Sequence, residues 1–181
     1  MNSNSLIGRL IAVHDALDKA KLPHAVGGAI ALGYCIREPR GTRDLDINIF
    51  VTRTRADEVF AALPGDITVT LANVEQVERD GQTRLMWDDM PVDIFLNVLP
   101  LHDEVATGVR SVILAERAIP VLDCSALAVF KAMFDRGKDW VDIEAMVEHG
   151  SINVEKTAIR IEGLDGSDSH RAKRLRDLAT G

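Results

Sequence analysis

The chain has 181 residues, 46% of them hydrophobic and only 4% aromatic, enough for one domain with an aliphatic core. Its formal net charge of −7 excludes a broad nucleic-acid-binding surface, though not one local basic groove. No apolar run reaches the length of a membrane span, and the first residues lack the basic start and cleavage site of a signal peptide, so a cytoplasmic protein is expected. Cys35 and Cys124 form no CxxC pair and read as free buried thiols in a reducing compartment.

In chain order, Ser5 is placed to cap a first helix running to about residue 21, with Leu6, Leu10, Val13 and Leu17 at helical spacing and Arg9 off that apolar face. Pro23 stops it. His14 has no second ligand at i+4 and reads as a surface or boundary side chain. A short strand then ends at Gly27-Gly28, and the apolar run AIALGYCI suits a buried helix. Glycine at a strand-to-helix turn permits close backbone approach, and a helix N-terminus favours an anion. Pro39 and Gly41 break the helix, and Thr42-Arg43-Asp44-Leu45-Asp46 opens the next strand.

Residues two apart in a strand share a face, so Asp44 and Asp46 stand side by side while Leu45, Ile47 and Ile49 turn away. Adjacent carboxylates repel, and a fold that builds such a pair usually supplies a cation. Magnesium is the typical choice, because it takes carboxylate oxygens and substrate phosphates.

Beyond this strand a helix follows Thr52 or Thr54, and Ile67, Val69 and Leu71 alternate as a short strand. Residues 73–79 read ambiguously. Residues 83–87 and 91–97 form an antiparallel pair joined through Asp88-Asp89-Met90. Asp93 interrupts the second of these apolar strands. Alone it reads as facing solvent, with Asp88 and Asp89 as turn residues. Residues 102–108 read as irregular, 109–114 and 118–122 as strands, and a helix from Asp123 or Ser125 to Arg136 and another over 139–147 complete the reading. Residues 163–169 read as a linker before a basic cluster at residues 170–176.

The ordered set of strand, Gly27-Gly28, helix, Thr42-x-Asp44-x-Asp46 and strand resembles the nucleotidyltransferase superfamily with its polymerase-beta type palm. Within it, the chain is most similar to the minimal and AbiEii-like toxin-type group. The resemblance covers residues 24–51, extends to 91–97 and 126–147, and is not seen beyond about residue 150. It implies an α+β fold: a nucleotidyltransferase-type mixed sheet with flanking helices and a C-terminal helical segment. The division expected is a palm-like core at 1–122, packed helices at 123–162, and a linker with a basic tail at 163–181, in a single globular unit.

The resemblance further implies metal-dependent transfer of an NMP unit from an NTP to an acceptor hydroxyl. Asp44, Asp46 and Asp93 are the expected catalytic and metal-binding residues, for a site of two magnesium ions. Gly27, Gly28, Thr42, Arg43 and Lys131 are the expected nucleotide contacts, with Asp142 a weaker candidate. For Lys131 a surface pair with Asp135 competes with phosphate binding, and Lys138 reads as pairing with Asp142. The acceptor stays open: tRNA or a protein hydroxyl for a toxin with a cognate antitoxin, or a small molecule such as an antibiotic. A non-catalytic nucleotide- or partner-binding module, and a purely structural cation site, are the competing readings.

Overall fold

The computed structural model describes residues 5–180; residues 1–4 and 181, which include the N-terminal start and the last residue of the expected tail, lie outside the described residues. The chain divides into two compact units, one holding residues 1–28 and 41–122, the other residues 29–40 and 123–181.

The first unit is built on a seven-stranded mixed sheet with strand order β3-β4-β5-β2-β1-β7-β6. Its strands are β1 (His24–Val26), β2 (Leu45–Thr52), β3 (Ile67–Thr68), β4 (Gln82–Trp87), β5 (Met90–Asn97), β6 (Arg110–Leu114) and β7 (Arg117–Val121). β2 runs parallel to β5 and antiparallel to β1, while β4 and β5 form a hairpin. The register fixes two faces. Leu45 stands beside Val92 and Ile47 beside Ile94, all essentially fully buried, so this aliphatic side is the core side. Asp46 stands beside Asp93 on the other side, where β5 is only half-buried.

Helix α1 (Leu6–Lys19) is capped as its sequence predicts: the Ser5 hydroxyl accepts from the Gly8 amide at 3.1 Å. Leu10, Val13 and Leu17 are buried along it. Arg9 is buried too, contrary to the sequence reading. It donates to the Trp87 carbonyl and to Asp88, both at 2.6 Å, and lies over the Trp87 ring. Asp88 is thereby a turn residue at a positive φ of 55°, as expected. His14 lies 2.8 Å from His24, a contact across the chain that helical spacing does not reveal.

Two more elements depart from expectation. The stretch read as a strand through Leu71 contains only the two residues of β3, after which α4 (Leu71–Asp80) begins. Thr70 caps it reciprocally with Asn73, and Gly81 ends it at a φ of 70°. These end signals outweigh the alternation. The stretch read as irregular contains α5 (Leu101–Thr107), with Leu101, His102 and Val105 buried. The remaining helix of this unit, α3 (Ala56–Ala62), follows a tight 3-10 turn at Arg53–Arg55.

The second unit is helical. It holds α2 (Gly28–Ile36) apart from its first residue, α6 (Cys124–Phe134), α7 (Gly137–Glu148), α8 (Val154–Asp165) and α9 (His170–Leu178). The Asp123 carboxylate caps α6 by accepting from the Ser125 and Ala126 amides. Cys35 and Cys124 are joined in a disulfide across 89 residues, linking α2 to α6, which corrects the reading of free thiols. Nothing in the spacing of two distant cysteines announces such a bond. The basic cluster forms α9. Arg176 pairs with Glu155 and Glu162, Arg171 with Asp135 and Asp165, and Arg174 stacks on Trp140.

Candidate active site

Three strands of the first unit bring one rung of charged side chains together. Asp46 on β2 is in register with Asp93 on β5, and Asp93 is in register with Arg84 on β4. Alternation places all three on the sheet face opposite the aliphatic core. Asp44 precedes β2 by one residue. Its carboxylate accepts a short hydrogen bond from the Thr42 hydroxyl.

Arg84, absent from the residues the sequence points to, lies against two carboxylates of this cluster. Its guanidinium forks onto Asp93 with bonds of 2.7 and 2.6 Å and lies 3.7 Å from Asp44. The hydrogen bonds to Asp93, with the charges of Asp93, Asp44 and Asp46, hold it protonated more firmly than an ordinary arginine. The signal was present in the sequence. Counting outward from the Asp88-Asp89 turn pairs Trp87 with Met90, Leu85 with Val92, and therefore Arg84 with Asp93.

The glycine pair has a geometric role. Gly28 begins α2 at a φ of 52°, and a Cβ added there would lie 1.8 Å from an Asp46 carboxylate oxygen. Only a residue without a side chain lets Asp46 approach this backbone. The Gly27 amide donates to the Asp46 carbonyl at 2.8 Å, so that amide is committed to the sheet rather than open to a phosphate. A Cβ on Gly27 would also press on Asn48 at 2.8 Å. Arg43 is exposed beside Asp44.

Lys131 belongs to the second unit. Its ammonium pairs there with Asp142 at 2.6 Å and Asp139 at 3.6 Å, not with Asp135. Asp135 instead accepts from the Trp140 indole, and this bond, with one from His170, pulls its pKa below the ordinary value. Burial opposes the charge on Asp139, but Arg136 and Lys131 outweigh it and its pKa is lowered as well. Asp142 also pairs with Arg40, at 3.2 Å, rather than with Lys138.

Among the described residues no group of three or more His, Cys, Asp or Glu side chains is set to hold a metal ion. The chemistry of the acidic rung still fits one. Asp44, Asp46 and Asp93 offer hard carboxylate oxygens, the donors magnesium prefers, and a cationic guanidinium already lies against two of them.

The fold is that of the nucleotidyltransferases. A solution structure of the antibiotic-resistance factor ANT(2'')-Ia aligns at a TM-score of 0.62 and 14% identity, over 87% of this chain and 90% of that one. A crystal structure of ANT(2'')-Ia in complex with adenylyl-2''-tobramycin aligns at a TM-score of 0.61 and 14% identity, over 94% of this chain and 97% of that one. No family profile and no curated protein sequence matches the chain.

Proposed function

We propose that this protein is a nucleotidyltransferase that moves an NMP unit from an NTP to an acceptor hydroxyl. The observation that carries the reading is the register of Asp46 with Asp93 on adjacent parallel strands, with Asp44 two residues before Asp46. Asp44, Asp46 and Asp93 would hold magnesium, which when bound stabilises charge developing on the transferred phosphoryl group and the leaving pyrophosphate. Asp93 accepts the proton of the acceptor hydroxyl. The bond from acceptor oxygen to α-phosphorus forms as the bond to the bridging oxygen breaks, and pyrophosphate leaves. Thr42 fixes the Asp44 carboxylate, Gly28 gives Asp46 its room, and the exposed Arg43 receives triphosphate charge.

On the AbiEii-like resemblance, one acceptor class is a tRNA end or a protein hydroxyl, with an antitoxin as partner. A small-molecule acceptor is the second reading, and two observations favour it. The basic cluster that would meet RNA is largely neutralised by acids of its own unit. ANT(2'')-Ia, whose fold this chain shares along nearly its full length, is seen with adenylyl-2''-tobramycin.

The test is a transfer assay with magnesium and each labelled NTP in turn, offered total RNA, extract protein and an aminoglycoside and lincosamide panel. Label is expected on one acceptor class with the wild-type protein, and on none with Asp44→Ala/Asp46→Ala. A double variant that labels as well as the wild type contradicts the reading.

A further inference from the structure

We propose that Arg84 is a displaceable internal counter-ion that makes metal binding at the acidic rung depend on nucleotide. The inference rests on the nucleotidyl-transfer reading above. The guanidinium engages both carboxylate oxygens of Asp93 and reaches toward Asp44. A metal ion held by Asp93 would draw on the same carboxylate, so ion and fork compete.

Packing does not hold Arg84 in place. Its side chain is 57% exposed, on the half-open face of the sheet, while its neighbours Thr83 and Leu85 point into the core. Its position follows charge pairing with Asp93 and Asp44 rather than burial of its own side chain. The side chain is long, and its fork matches phosphate as well as carboxylate. A metal arriving alone must evict Arg84 into water. A metal arriving with a triphosphate brings anionic oxygens for the displaced guanidinium to bind. Arg84 thus keeps the carboxylates neutralised in the free protein and couples their release to the substrate.

The test is manganese titration of the full chain, read by the electron paramagnetic resonance of free Mn2+, with and without a non-hydrolysable NTP analogue. Wild type, Arg84→Met and Arg84→Lys are compared. Without nucleotide, R84M is expected to bind manganese on the order of tenfold more tightly than wild type, with R84K between them. The gain in manganese affinity that nucleotide brings is expected to be smaller in R84M than in wild type. Equal or weaker manganese binding by R84M overturns the counter-ion role while leaving the transferase reading standing. No manganese binding by any of the three, even with the analogue, overturns both. Thermal melting guards against a misfolded variant: magnesium is expected to raise the melting temperature of R84M more than that of wild type. A drop in R84M that magnesium does not reverse marks a purely structural ion pair and overturns the proposal.

Discussion

Gly28 shows how one position ties backbone to site. Its positive φ already disfavours any L side chain, and the Asp46 carboxylate fills the space a Cβ needs. Gly28→Ala is expected to cost about 2 kcal/mol or more in stability and to lower transfer by at least about tenfold, because the shift falls on Asp46. Melting curves and the transfer assay check both; an alanine variant equal to wild type in each would show that the Gly28–Asp46 approach is dispensable. Lys131 makes a different case. It is 12% exposed and faces Asp139, whose side chain is fully buried. Lys131→Ala leaves Asp139 to Arg136 alone, so a loss of about 2 kcal/mol is expected in denaturant unfolding. Unchanged stability with weakened nucleotide binding would instead place Lys131 at the phosphates.

Among the elements, the disulfide between α2 and α6 is the clearest lever. A crosslink that closes a loop of 89 residues restricts the unfolded chain strongly, and about 4.5 kcal/mol of stability is expected from it on loop-closure entropy. Cys35→Ser/Cys124→Ser should melt well below the oxidised protein, and adding reductant should shift only the wild type. If reductant leaves the wild-type melting point unmoved, the bond contributes nothing. What could be read from sequence follows the same lines. The strand–glycine–helix–strand order over residues 24–51 was readable because local signals agreed: Gly27-Gly28, Pro39, Gly41 and the apolar alternation of Leu45, Ile47 and Ile49. α4 was obscured because Val69 and Leu71 mimic alternation while the decisive cap is a pair of side chains, Thr70 and Asn73. α5 is short and shows no clean period. The disulfide and the buried Arg9 depend on contacts far apart in sequence, which no local pattern encodes.

At the scale of the whole molecule, the acidic rung was half readable. Asp44 and Asp46 stand out by their two-residue spacing and Asp93 through the family resemblance, but Arg84 required the hairpin register. The molecule also carries a pH signature. Burial pushes His24 and His102 below the ordinary value of 6.5. Both histidines are therefore less protonated folded than unfolded. Their contribution is present above about pH 6.5 and is lost as pH falls from there toward their folded values. Melting temperature should accordingly decline from pH 7 to about pH 5. A second decline should come below the ordinary aspartate value of 3.8, as Asp135 and Asp139 are protonated. A melting temperature flat between pH 7 and about pH 5 would contradict the histidine account.

The most direct test of the central claim needs no knowledge of the acceptor: calorimetric titration of a non-hydrolysable NTP analogue into wild type, Asp46→Asn and Asp93→Asn, with and without magnesium. The account predicts binding by wild type that requires magnesium, and a loss of at least about tenfold in each variant at unchanged melting temperature. Binding that is indifferent to magnesium and to both aspartates would contradict it.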